Sequence, residues 1–198
     1  MRSMDVCPSL PLQIPAQTFA PPIHGNVFLV GMMGAGKTSV GRMLAKHLGK
    51  SFYDSDQIIE SRTGVRIAVI FEIAGEADFR SRERAVIEEI SAMHDVVLAT
   101  GGGAILSESN RTALKTHGTV LYLRASIREL LHRTRHDKHR PLLRAPDPKA
   151  RLTELLAQRE PLYDEVAHIT VETGSQSLSS LVCRIEELLG VPRREPTA

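Results

Sequence analysis

The sequence predicts an α/β fold in which a parallel sheet lies between layers of helices, and three observations predict it. Short apolar runs rich in β-branched residues alternate along the chain with stretches whose apolar residues recur at helical spacing. The strand runs are apolar without a polar face, as expected of strands covered by helices on both sides. A glycine-rich turn lies between the first strand and the first helix, the usual place for a ligand-binding turn in such a sheet. The 198 residues suit one domain with one substantial core.

Taken in order, Asn26–Val30 reads as the first strand. Val40, Met43, Leu44, His47 and Leu48 follow on one face of a helix that Gly49 ends. Ser51–Tyr53 is a short second strand, and Phe79, Val86, Ile87, Ile90 and Met93 trace the buried face of a long helix. Val96–Thr100 and Thr119–Leu123 are the third and fourth strands. Ser126 and Glu129 then stand at the spacing of a capping box that opens another helix. His168–Val171 gives a fifth strand, and Leu178, Leu181, Val182, Ile185, Leu188 and Leu189 form the apolar stripe of a last helix stopped by Gly190. Residues 1–24, with five of the eleven prolines, read as a disordered leader, and residues 191–198 as a frayed tail, leaving one domain over 25–190.

Composition removes several function classes. Hydrophobic residues make up 42% and charged residues 24%, values of an ordinary globular chain. No uninterrupted apolar run reaches the length of a membrane span. The net charge of +2 is far from the excess of a protein whose whole surface tracks nucleic acid, so any basic function is local. Cys7 and Cys183 stand alone without metal-ligand spacing, which points to free thiols and a reducing, cytoplasmic setting.

The chemistry starts at Gly31-Met-Met-Gly-Ala-Gly-Lys37-Thr38, which fits G-x-x-x-x-G-K-[ST] directly after a strand and at the start of a helix. Glycines let backbone N–H groups turn inward around phosphate oxygens, and the helix N-terminus adds its positive dipole end. Gly34, Ala35, Gly36, Lys37, Thr38 and Ser39 are therefore the expected ATP contacts, with Lys37 on the β/γ-phosphates and the Thr38 hydroxyl on Mg²⁺.

The acceptor has to be read elsewhere. Asp54 and Asp56 follow the second strand at its C-terminal end. There Asp54 would hold a metal-bound water, or simply cap the next helix, while Asp56 would accept hydrogen bonds from an acceptor hydroxyl. Gly101, Gly102 and Gly103 end the third strand at the same sheet edge, where missing side chains let a ligand touch backbone. Arg80, Arg82 and Arg84 share one charged helix start, and composition does not choose among them. Residues 128–144 carry six Lys/Arg against two acids, and with no Trp and 4% aromatics this segment reads as a lid over ATP rather than a base-stacking surface. His132, His136 and His139 at its centre are better read as solvated than as a metal site.

Together these residues resemble one family, the shikimate kinases. The resemblance runs from about residue 26 to 190 and rests on the phosphate loop, Phe52-Tyr-Asp-Ser-Asp56, Gly75-Glu-Ala-Asp-Phe-Arg80, Thr100-Gly-Gly-Gly103, Arg133-Thr134, Arg140-Pro-Leu-Leu143 and Arg159-Glu-Pro-Leu-Tyr163. It implies a P-loop kinase sandwich with a five-stranded parallel sheet in the order 2-3-1-4-5, a substrate-binding region near 53–82 and a lid near 132–147. It implies that Asp56 holds the ring hydroxyls and helps deprotonate the attacking one, that Arg80 and Arg159 clamp the carboxylate, and that Gly102 offers its N–H. Arg140 resembles a lid arginine that reaches the ATP phosphates, Arg133 one that stacks over adenine, and Gln176 lies in the stretch of the adenine loop. Asp54 matches a residue that touches Mg²⁺ through water. The implied reaction is phosphorylation of the 3-hydroxyl of shikimate by MgATP, in a cytoplasmic monomer without nucleic-acid or membrane partners.

Two other readings compete. A gluconate-kinase-like enzyme would share the phosphate loop but take an open-chain sugar acid; Arg80, the glycine triplet and Arg159-x-Pro-Leu-Tyr163 favour shikimate. A nonenzymatic ATP-binding regulator would show salt-sensitive nucleic-acid binding without acceptor-dependent ADP formation.

Overall fold

The computed structural model describes residues 25–135 and 147–191. The expected leader, most of the tail, Cys7, Arg140, His136, His139 and most of the expected lid lie outside the described residues.

Five strands, β1 (Asn26–Val30), β2 (Ser51–Asp54), β3 (Val96–Ala99), β4 (Gly118–Arg124) and β5 (Ile169–Glu172), form one sheet in the order β2-β3-β1-β4-β5. Every neighbouring pair is parallel, with Val27 opposite both Val97 and Thr119, and Asp54 opposite Ala99. The order and the number of strands match the expectation. Parallel neighbours need crossovers, and the helical stretches supply them. β1 and β3 are buried throughout, whereas β2 and β5 are only partly covered because they are the sheet's edges.

Among the described residues, eight helices pack around the sheet: α1 (Lys37–Leu48), α2 (Ser55–Thr63), α3 (Ile67–Ile73), α4 (Gly75–Ser91), α5 (Glu108–His117), α6 (Ile127–Thr134), α7 (Pro148–Val166) and α8 (Leu178–Leu188). α6 opens on the expected capping box, with Ser126 and Glu129 satisfying each other's backbone N–H. Four details depart from the sequence reading. Leu188, expected on the apolar stripe of the last helix, is exposed at the end of α8, where Leu189 turns into the core instead. Met93 lies beyond the end of α4 and is exposed, because the chain leaves the helix at Ala92 to enter β3. His47 is not core: its Nδ1 lies 2.9 Å from Glu186 Oε1, tying α1 to α8 at the surface. His168 precedes β5 and its Nδ1 accepts from the Val120 N–H at 3.0 Å, standing in for a strand carbonyl at the sheet edge.

The helix-to-sheet packing buries Phe28, Leu29, Leu44, Leu98, Ile105, Leu121 and Tyr122 completely or nearly so. Each such side chain contributes about 1.5–3 kcal/mol relative to exposure. Asn26 is one of the buried polar residues of this core. Its side chain donates to the Ser91 and Met93 carbonyls and accepts from Val96 N–H, so one amide fixes the turn from α4 into β3 against β1. The consequence for function is an alignment: the C-terminal ends of β1, β2 and β3 deliver the phosphate loop, Asp54 to Asp56 and the glycine triplet to one edge of the sheet.

Candidate active site

Helix α1 differs from its neighbours at its N-terminus. Gly36 occupies the N-cap position with φ 99°, without a side chain to cap it, and no acid lies in the first turn. Gly34, at φ 81°, also sits in the left-handed region. The first N–H groups of α1 thus remain available to an anion. Helix α2 is closed by contrast, because Asp54 Oδ1 accepts from the N–H groups of Asp56 and Gln57.

Lys37 is buried and its Nζ donates to the Gly31 and Met32 carbonyls at 2.7 and 2.9 Å, so the ammonium is folded against the phosphate loop. Thr38 Oγ1 donates to Asp54 Oδ2 at 2.7 Å. Asp54 therefore caps with one oxygen and meets the loop threonine with the other. A hydroxyl and a carboxylate oxygen at this spacing are hard oxygen donors of the kind Mg²⁺ takes, directly or through water. Ser39 is exposed on α1.

Beside the loop lies a cavity of about 520 Å³ lined by Met33, Thr38, Asp54, Asp56, Arg80, Glu83, Arg159 and the three glycines, with Phe71 and Phe79 among its apolar walls. Their rings pair at 4.8 Å. Of the three arginines in the α4 start, the structure brings only Arg80 to the cavity, while Arg82 pairs with Asp78 at the surface and Arg84 is exposed. Arg80 is braced between Glu76 Oε1 at 2.9 Å and Glu83 Oε2 at 2.7 Å.

Glu83 was not singled out from the sequence, although it stands three residues after Arg80 on the same helix face. It is buried, and its Oε1 has no hydrogen-bond partner among the described residues. Burial pushes its carboxyl above the ordinary range against the pull of Arg80 and Arg159. The same glycine triplet makes room for these groups. A Cβ on Gly101 would sit 2.6 Å from Glu83 Oε1 and 2.7 Å from Asp56 Oδ1, and one on Gly103 would sit 2.5 Å from Arg80 Nη2. Arg159, from α7, is buried, donates to the Gly102 carbonyl at 3.3 Å and leaves its Nε without a hydrogen-bond partner among the described residues. Two guanidinium groups, two carboxylates and an apolar wall suit a small acid that also carries hydroxyl groups.

Arg133 donates to the Thr173 hydroxyl and to the Gly34, Ala35 and Gly174 carbonyls, so it spans from the phosphate loop to the turn after β5. Gln176 closes that turn on itself, accepting from Gly174 N–H and donating to the Glu172 carbonyl.

With this geometry, comparison with known proteins is decisive. A family model described as shikimate kinase matches residues 33–189. The chain belongs to the shikimate kinase family. It is 58% identical over 171 residues to the shikimate kinase of Chromobacterium violaceum, covering 86% of this chain and 93% of that one. Its fold is similar to that of Acinetobacter baumannii shikimate kinase in complex with shikimate, with a TM-score of 0.82 and 49% identity over 84% of this chain and 93% of that one. A gluconokinase from Sinorhizobium meliloti, 20% identical at a TM-score of 0.51 and covering 84% of this chain and 91% of that one, shares the fold. The phosphate loop and the cavity share one sheet edge.

Proposed function

We propose that this chain transfers the γ-phosphoryl group of MgATP to the 3-hydroxyl of shikimate, giving ADP and shikimate 3-phosphate on the route to chorismate and the aromatic amino acids. The observation that carries the reading is that Thr38 and Met33 of the phosphate loop line the same cavity as Asp56, Arg80 and Arg159. Donor and acceptor are thereby held side by side, and proximity of this kind supplies much of the rate enhancement in phosphoryl transfer.

On this reading Arg80 and Arg159 take the carboxylate of shikimate, and the Arg159 Nε, without a hydrogen-bond partner among the described residues, fits that demand. Asp56 accepts the hydrogen bond of the attacking hydroxyl and takes its proton as the new O–P bond forms and the bond from Pγ to the ADP oxygen breaks. Lys37 leaves the loop carbonyls for the phosphates, and Thr38 with Asp54 holds Mg²⁺, Asp54 through water. The metal, when bound, neutralises charge on the phosphate oxygens. Gly34 to Ser39 cradle the phosphates, Arg133 and Gln176 border the base, and the family resemblance adds Arg140 over the phosphates. The reading carries with it a cytoplasmic monomer.

Arg80→Lys tests the clamp, because it keeps the charge and removes the fork. The expected result is a loss of about 10- to 100-fold in kcat/KM for shikimate with the KM for ATP unchanged. Unchanged shikimate kinetics would remove Arg80 from the acceptor site.

A further inference from the structure

Tyr163 belongs to a motif shared with Arg159, yet nothing above gives it a task. Its side chain is fully buried, and its hydroxyl donates to the Gly102 carbonyl at 2.6 Å. Arg159, one helical turn earlier on α7, donates to the same oxygen at 3.3 Å. On its other side Gly102 lies against the phosphate loop, where a Cβ would come within 3.3 Å of Met33 N and 3.5 Å of the Gly31 carbonyl oxygen. The Gly102 peptide is thus held between α7 and the phosphate loop, and its neighbours Gly101 and Gly103 border the two carboxylates and Arg80.

The phenol is well fixed for such a task. Its ring stacks on Tyr122 of β4 at 4.8 Å and 22°, and the Arg124 guanidinium lies over the Tyr122 ring at 5.2 Å. Burial raises the Tyr163 pKa well above its ordinary value, so the phenol stays a donor at every working pH. Pro161, between Arg159 and Tyr163, has no N–H to give, so this turn of α7 lacks one bond of the helix ladder.

We propose that Tyr163 is a positioning residue for the acceptor: its hydroxyl fixes the Gly102 peptide and shares that carbonyl with Arg159, so that the glycine turn and the Arg159 guanidinium face shikimate in one arrangement. Without the hydroxyl, Gly102 O is left to Arg159 alone, which draws the guanidinium toward the backbone and frees the turn. The inference rests on shikimate being the acceptor.

The test is Tyr163→Phe, which keeps the stacked ring, compared with Tyr122→Phe, which also removes one buried hydroxyl but lies away from the cavity. Melting midpoints and separate KM values for ATP and shikimate are measured for both. The expected result for Tyr163→Phe is a rise of about tenfold in the shikimate KM, a fall in kcat of a few-fold and an unchanged ATP KM, with neither acceptor parameter moved in Tyr122→Phe. A lowered midpoint with wild-type shikimate kinetics in Tyr163→Phe, matching Tyr122→Phe, would make the hydroxyl merely structural and overturn the proposal. Absence of shikimate turnover in the wild type would instead overturn the acceptor reading on which it rests.

Discussion

Gly101 needs no special backbone angle; what it needs is the absence of a side chain. A methyl group there would meet Glu83 Oε1 and Asp56 Oδ1 at under 3 Å, so Gly101→Ala must push two acids out of place. The expected outcome is a loss of at least about 100-fold in kcat with modest change in melting midpoint, since a misplacement near 1 Å at reacting groups costs that much. Steady-state kinetics beside a thermal melt would show it, and wild-type kcat would contradict it. The sequence reading expects the glycine triplet to let a ligand touch backbone. That the triplet makes room for Asp56, Glu83 and Arg80 was not legible, because those neighbours come from α2 and α4 and only the fold brings them together. Glu83 escaped notice for a similar reason: a Glu on a charged helix start resembles a solvated face until its burial is known.

At the scale of an element, the starts of α1 and α2 show how one local rule serves two ends. α1 starts without a side-chain cap, while α2 is capped by Asp54, whose second oxygen meets Thr38. Asparagine caps nearly as well as aspartate but lacks the charge, so two variants separate these duties. Asp54→Asn is expected to keep the melting midpoint and raise the Mg²⁺ concentration needed for half-maximal rate. Asp54→Ala is expected to show the same Mg²⁺ effect and lose about 1 kcal/mol of stability besides. Equal Mg²⁺ dependence in wild type and Asp54→Asn would remove Asp54 from the metal. The five strands and α1 were legible because their apolar runs are strong. α2 and α3 were not, because they form the rim of a cavity and few of their side chains are buried.

For the whole molecule, the sheet's order fixes which strand ends meet and so which residues become neighbours. One edge contact also ties stability to pH. His168 accepts a backbone hydrogen bond with its Nδ1, and desolvation followed by the nearby charge of Lys115 lowers its pKa. A base whose pKa is lower folded than unfolded binds more protons when unfolded. Its contribution is therefore fully present above the ordinary histidine pKa of about 6.5 and is lost as pH falls below it. His168→Asn keeps an acceptor without that titration. The wild type is expected to lose more stability than the variant between pH 7.5 and 5.5 in denaturant melts, and parallel losses would exclude His168 as a contributor.

The central claim is that one sheet edge joins a phosphate loop to an acceptor site for shikimate. It is tested most directly by following ADP release with MgATP and no acceptor, shikimate, quinate or gluconate in turn, with Lys37→Ala as background. Strong, Lys37-dependent turnover with shikimate alone is the predicted result. Turnover with gluconate in its place, or ATP binding without turnover on any acceptor, would contradict it.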